Sequence, residues 1–140
     1  MVTPNTQTTQ RGSLAEKQVY DALLANEEVR RIYGPSKIFQ GYVAPNTLAS
    51  SEEYVYISRV SDVTLDKGLD TIGDTLRRVR IQVDVCDVEY SRMADRSALI
   101  RDVLRNAFPS SLDGSTRGTV ASGQTVWNVT SLDIIIYEKD

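Results

Sequence analysis

The clearest hydrophobic pattern of the chain lies between Thr75 and Phe108. Over residues 76–85, apolar side chains alternate with charged or polar ones, and this period of two predicts a half-buried strand. Over residues 93–108, small and apolar residues recur every three or four positions, which predicts one long amphipathic helix. The apolar stripe of that helix consists of Met93, Ser97, Ile100, Val103, Leu104 and Ala107.

A first helix is predicted ahead of this unit. Ser13 and Glu16 have the spacing of a capping box, in which each side chain binds the backbone N–H of the other residue. The helix should run through residues 14–25 and be interrupted at Asn26. A further helical turn should end before Gly34-Pro35.

Further strands are predicted on both sides of the central unit. Residues 37–42 and 53–60 are rich in β-branched and aromatic side chains, which favour strands. After the long helix we expect a turn-rich connector over residues 110–115 and then a hairpin within residues 118–130. The apolar run 132–137 predicts a closing strand that lies centrally in the sheet or is covered on both faces.

Together these elements predict an α+β fold: a mainly antiparallel sheet of about four to five strands with two helices packed on it. Residues 1–12 are polar and have no apolar segment, so we expect a flexible N-terminal arm and no secretory signal. Residues 13–140 have the length of a single domain. A long hairpin loop is expected over residues 61–74, where four acidic residues outnumber one lysine. The acidic residues are Asp62, Asp66, Asp70 and Asp74, and the lysine is Lys67.

The composition argues against most catalytic chemistry. The chain has no histidine, which removes the commonest acid–base group and metal ligand. Its one cysteine, Cys86, is expected to be a small buried hydrophobe. Asp84 and Asp87 could cap the helix or bind a cation, and capping or solvation is the preferred interpretation because no metal-loop spacing follows. We therefore expect no catalytic residues, no metal and no cofactor.

The charge does not favour nucleic acid or a membrane as a partner. A net charge of -3 gives no general support for nucleic-acid binding. The apolar runs are too short to span a membrane. Trp127, Tyr54 and Tyr56 could stack on bases, but without a basic surface we expect them to pack in the core or in an interface.

Arginines surround the predicted strand and helix, and two interpretations stay open. They could be a solvated face balanced by Asp95 and Asp102. Alternatively, they could pair across a ring of identical subunits, with the acidic segment 61–74 of one chain near the arginines of the next. The candidate interface residues are Asp66, Lys67, Asp70, Asp74, Arg77, Arg78, Arg80, Arg101 and Arg105.

The order of the elements and two short motifs resemble the tail completion, or tail terminator, proteins of tailed bacteriophages. The stretch Gln82-Val83-Asp84-Val85 is similar to a family strand that leads into a helix, and residues 100–107 are similar to that helix. Ala44-Pro45, ahead of the second strand, also fits. The resemblance covers most of residues 14–138, with departures at Cys86-Asp87 and in the N-terminal arm.

This resemblance implies a small subunit, not an enzyme, that forms a homo-oligomeric ring, commonly a hexamer. The ring would cap the tail tube and offer the surface that joins the tail to the head. The implied partners are the tail tube protein and a head–tail connector or stopper protein, and DNA would pass through the lumen without specific binding. The protein would be made in the host cytoplasm and located in the tail or neck of the virion.

Two alternatives remain. Another head–tail connector, such as a stopper or neck subunit, would have a similar size and also form rings. A small α+β binding module unrelated to phages would instead be a monomer or dimer with a concave apolar pocket.

Overall fold

Five strands and three α-helices are formed by the residues that the computed structural model describes, which are 14–41, 52–65, 76–109, 111–122 and 124–139. The helices are α1 (Ala15–Ala25), α2 (Glu27–Ile32) and α3 (Tyr90–Ala107). The strands are β1 (Ile38–Gln40), β2 (Glu53–Thr64), β3 (Leu76–Asp87), β4 (Leu112–Ser122) and β5 (Thr125–Lys139). The predicted α+β class is confirmed, and α2 is the further helical turn expected between Asn26 and Gly34-Pro35.

The strands form one sheet in the order β1-β2-β3-β5-β4. All neighbours are antiparallel except β1, which runs parallel to β2. The apolar run 132–137 belongs to β5, between β3 and β4, so its predicted central position is confirmed. The two outermost strands are β1 and β4.

One face of the sheet, here called the helix face, is covered by α1 and α3. Ile57, Ile81 and Ile134 point to this face from three adjacent strands, and none of them is exposed. Leu23 of α1 and Leu104 of α3 pack on them and are equally buried. The alternation of β3 and the apolar stripe of α3 therefore build the core as predicted, except that Ala107 at the end of the stripe is exposed.

The opposite face, here called the open face, carries an aromatic cluster at one end. Tyr54 stands edge-on to Phe39 and to Trp127, with ring centroids 6.1 and 5.0 Å apart. Trp127 and the neighbouring Cys86 are buried, which confirms the packing roles predicted for both. Burial raises the pKa of the Cys86 thiol to about 12.

The start of α1 differs from the predicted capping box. Ser13 lies outside the described residues, and Leu14 is the N-cap without a side-chain cap. The buried carboxylate of Glu138 accepts the backbone N–H of Ala15, and Glu16 binds Arg59. A carboxylate from the last strand thus fills the role because the positive end of the helix dipole attracts it. The predicted interruption at Asn26 is confirmed, since its side chain caps α2 by accepting the N–H of Val29 at 3.0 Å.

Several strands are longer than the sequence pattern indicated. β2 continues to Thr64 and pairs with β3 as far as Arg77, so the loop predicted to begin at residue 61 was wrong over its first residues. β4 begins at Leu112, within the predicted connector, and β5 is one strand of 15 residues where two were expected. Pairing with a neighbouring strand imposes the extended backbone there despite a polar sequence.

Candidate subunit interface

The predicted arginines of β3 lie on opposite faces of the sheet. Successive side chains of a strand alternate between faces. Because Val79 and Ile81 are buried under the helices, Arg78 and Arg80 lie on the open face. Arg77 lies on the helix face, so the three residues do not form one patch.

Arg77 belongs to an ion-pair cluster at the end of the helix face. Arg59 is central to this cluster: it donates to Glu16 Oε1 and Asp62 Oδ2, each at 2.7 Å, and to Glu138 Oε2. Arg77 Nη2 lies 3.0 Å from Asp62 Oδ2 and 3.8 Å from Glu138 Oε1. These five residues, here called the Arg59 cluster, satisfy one another within a single chain.

Electrostatics and burial mark the Arg59 cluster as structural. Glu138 is only 7% exposed and its carboxylate also holds the start of α1. Burial by itself would raise the pKa of Glu16, but hydrogen bonds from Arg59 and from the Glu16 backbone outweigh it, and the net pKa is lowered. The cluster therefore ties α1, β2, β3 and β5 together, and Arg77 is less available to a second subunit than its sequence context suggested.

Arg78 and Arg80 line an open-face groove of about 480 Å³ together with Val60, Ser61 and Ile135. Val60 is 52% exposed, so the groove combines guanidinium groups with uncovered apolar surface. Arginine beside apolar side chains is enriched in protein interfaces, because its planar group binds carboxylates while its stem packs. The groove can therefore accept an acidic and partly apolar segment.

Arg101 and Arg105 lie on α3, one turn apart as predicted, and so on the other side of the sheet from that groove. They line a smaller depression with Leu112, Gly114 and Ser115. Arg101 Nη2 lies 3.5 Å from Ser115 Oγ, and Arg105 Nη1 lies 3.8 Å from Asp102 Oδ1. Both Arg105 and Asp102 are more than half exposed, so their pair contributes little.

The acidic candidates Asp66, Asp70 and Asp74, and Lys67 between them, lie outside the described residues. Their nearness to the arginines of another subunit stays a prediction.

Asp87 was a candidate for helix capping or cation binding, and the structure shows its contacts. It is fully buried, accepts Arg92 Nε at 2.8 Å and Arg92 Nη2 at 2.9 Å, and accepts the N–H of Glu89 just before α3. Its observed role is a buried ion pair with Arg92 and a turn before α3, where Glu89 is the N-cap and no side chain caps the helix. Within the described ranges, no group of three side chains of the metal-binding types could hold an ion.

The sequence reasoning missed Arg59, the centre of the ion-pair cluster. Its position on the helix face of β2 was readable from the alternation of Val55 and Ile57, which would have marked a charge among buried residues. Its partner Glu138 is 79 residues away and follows only from the sheet order.

None of the described helices is long and apolar enough to cross a membrane.

No protein-family model matches the chain, and no curated protein matches it by sequence. Among solved structures, a chain from the virion of a native gene transfer agent (GTA) particle is similar, with a TM-score of 0.51 and 16% sequence identity. The match covers 89% of this chain and 94% of the other. At this identity the likeness concerns the fold, and it shows that the sheet-and-helix arrangement described above is shared almost from end to end.

Proposed function

We propose that this chain is a structural protein of a tailed-phage-like virion, and specifically a tail terminator. Its ring would cap the tail tube and provide the surface that joins the tail to the head or neck. The observation that carries the proposal is the shared fold with a chain of a virion particle over nearly the full length of both chains. The motif resemblance of residues 82–85 and 100–107 points in the same direction.

The two arginine surfaces support self-association. Arg78 and Arg80 lie on the open face, whereas Arg101 and Arg105 lie on the helix side, so a subunit offers basic groups to neighbours on two sides. Among the described residues no ion pair of Arg78 is found. In the proposed ring, acidic side chains from segment 66–74 of one subunit reach the arginines of the next.

The proposal also covers DNA passage. Asp66, Asp70 and Asp74 would face the lumen in part and repel passing DNA, which would prevent it from sticking. Replacing all three with asparagine should weaken ring assembly or slow DNA passage. Unchanged assembly, tube binding and DNA passage would remove this part of the proposal.

Assembly is the first test. We expect mass photometry to detect closed oligomers, either of the purified chain or after addition of polymerised tail tube protein from the same particle. Negative-stain images should then show rings at tube ends. A chain that stays monomeric under both conditions would refute the proposal, and rings that bind the portal side and ignore tube ends would identify a stopper instead.

Arginine variants form the second test. Arg78→Glu and Arg105→Glu should each leave a folded protein with reduced ring formation, because each puts a carboxylate where an acidic partner is expected. Arg31→Glu is the matched control, since Arg31 is exposed on α2 and, among the described residues, forms an ion pair with Glu28 alone, three residues away. If the folded Arg78→Glu/Arg105→Glu double variant assembles normally, these arginines are merely solvated.

A further inference from the structure

Among the described residues, no strand lies against the outer edge of β4. There β4 pairs with β5 alone, and its residues from Gly114 to Ala121 are all exposed. Its register shift lies at the start, between Leu112 and Gly114. Edge strands are often protected from pairing by charged side chains, proline or an internal bulge; residues 114–121 contain no proline and no bulge, and Arg117 is their one charged residue. The N–H and C=O groups that point away from β5 can therefore accept another strand.

A second, unlike edge lies at the far side of the sheet. β1 covers the outer side of β2 only at residues 55–57, and the N–H of Gly41 closes this contact on Ile57 at 3.2 Å. A bulge between Arg59 and Ser61 follows. Beyond it, residues 61–64 are all exposed, and among the described residues no strand lies against their outer edge.

The strand directions of the two edges are compatible. β2, β3, β5 and β4 are neighbours in this order and each pair is antiparallel, so β4 runs opposite to β2. When a second copy continues the sheet in the same orientation, its β2 therefore meets β4 antiparallel, which is the more stable ladder. Because the two edges differ, the contact is head-to-tail and can repeat around a ring.

We propose that β4 of one copy pairs antiparallel with residues 61–64 of β2 in the next copy, with Arg117 opposite Asp62. The inference names the contact of the proposed ring and rests on that proposal. Arg117 lies on the helix face, where it reaches Tyr90 Oη at 3.2 Å. Asp62 lies on the same face, where it accepts Arg59 and Arg77 of its own copy and keeps 31% of its side chain exposed, so Arg117 of the other copy would extend that ion-pair cluster. In this register opposite charges meet on one face.

The same register matches the open face. Thr116 of β4 lies opposite Val63 of β2, and both side chains are exposed and point away from the helices. Val63 is 41% exposed in the single chain, so the contact would cover apolar surface as well as backbone groups.

The offset between copies agrees with a closed ring. Within one copy, Arg117 lies opposite Thr130 of β5, which lies opposite Val85 of β3. Asp62 lies opposite Val79 of β3, six residues away from Val85 along that strand. Joining Arg117 to Asp62 therefore shifts successive copies by about 20 Å along the strands. The same strand in successive copies is four strand spacings, or about 19 Å, apart across the sheet. A shift of about 20 Å along the strands over this width tilts the strands by about 45° from the ring axis, near the upper end of the range of closed barrels.

Disulfide trapping tests the register. A Val63→Cys/Thr116→Cys double variant, oxidised with copper phenanthroline, should give a ladder of covalent oligomers on a non-reducing gel, because directly opposed residues have the spacing of a disulfide. The native Cys86 is buried and should not interfere. A mixture of the two single variants should stop at covalent dimers, since each chain then carries one reactive thiol. Val63→Cys/Val120→Cys, four residues out of register on the same face, is the control and should not form a ladder.

A charge change adds a second readout. Arg117→Glu in the Val63→Cys/Thr116→Cys background should slow the cross-linking several-fold, since like charges opposite each other destabilise a strand pair. The contact of Arg117 with Tyr90 is exposed, so the melting temperature should stay unchanged. An unchanged cross-linking rate would overturn the assigned register.

The outcomes separate the two proposals. Covalent dimers of Thr116→Cys alone would show a symmetric β4–β4 contact and overturn the inference. Oligomers in mass photometry without a ladder would overturn the edge contact but leave the ring. A ladder from a protein that ignores tail tubes would support the edge contact and refute the terminator role. A chain that never self-associates, with or without tubes, would overturn both.

Discussion

Replacement of Arg59 with methionine should destabilise the fold by about 2–4 kcal/mol, because it removes one side of a partly buried ion-pair cluster. The guanidinium donates to three carboxylates, and Glu138, one of them, is only 7% exposed. Methionine keeps the apolar stem of the side chain but removes every donor. The carboxylates of Glu138 and Glu16 would then stay close together, partly buried and without their main partner.

The expected loss of stability depends on the burial of the Arg59 cluster and on the contacts that Arg77 keeps. Breaking a buried ion pair by removing one partner costs about 3–5 kcal/mol, because the other charge stays buried. Here Arg77 remains 3.0 Å from Asp62 and 3.8 Å from Glu138 and can compensate in part. Arg59 is itself 21% exposed, so solvent also screens the cluster. Both effects lower the expected cost below the upper end of that range.

Thermal unfolding followed by circular dichroism at pH 7 measures this effect. For a chain of this size, about 3 kcal/mol corresponds to a fall in melting temperature of roughly 10 °C. Arg31→Met is the control, since the Arg31–Glu28 pair is exposed and its loss should cost at most about 0.5 kcal/mol. Adding Glu138→Gln to Arg59→Met should recover part of the loss, because it neutralises the stranded charge while the amide oxygen can still accept the N–H of Ala15.

Equal melting temperatures for Arg59→Met and the unchanged protein would refute this reasoning. Such a result would mean that the cost of desolvating the Arg59 cluster offsets its attraction. A loss that Glu138→Gln deepens would also contradict it, since the stranded carboxylate would then not be the source of the instability.

Ile81→Asp and Leu104→Asp should each abolish folding, since both side chains are fully buried and a carboxylate there has no partner; far-UV circular dichroism of the soluble fraction checks this. Tyr33→Phe should leave stability unchanged or raise it by up to about 2 kcal/mol in urea unfolding, because the buried hydroxyl finds no hydrogen-bond partner among the described residues. The Cys86 thiol should not react with Ellman's reagent at pH 8 until the protein unfolds, since burial raises its pKa to about 12; rapid labelling of the native protein would contradict this. The folded-state pKa of Glu16 lies below its ordinary value of 4.5, so its contribution is present above that value and is lost as the pH falls through the folded-state pKa. Below pH 4.5 the melting temperature should therefore fall more steeply in the unchanged protein than in Glu16→Gln.

The central strand and the long helix were predictable from sequence because each buries one face. Burial of one face requires apolar side chains at every second position of residues 76–85 and at every third or fourth position of α3, and both patterns are visible in the sequence. The outer strands were harder. Residues 61–64 and 112–117 are mostly polar, and their extended state comes from pairing with β3 and β5. The β-propensity of a segment does not reveal a strand that is stabilised mainly by pairing with the neighbouring strand.

The candidate interface shows the same limit. Strand alternation alone separates Arg77 from Arg78, so their different faces were readable in the sequence. The fate of Arg77 was not, because Asp62 and Glu138 reach it only through the order of β2, β3 and β5 in the sheet. Long-range topology decides which arginine is paired inside the chain.

The two faces of the sheet therefore suit different tasks. On the helix face, the described charges of β2, β3 and β5 near α1 are satisfied inside the chain by the Arg59 cluster, and a change there acts on stability first. On the open face, Arg78 is exposed beside Val60 and Ile135, and a change there should act on contacts between copies. A ring closed through β4 and β2 would set these open faces side by side, so that the groove repeats once per subunit along one continuous surface. A partner with matching symmetry could then bind many copies of a weak site at once, which raises its affinity without any strong single contact.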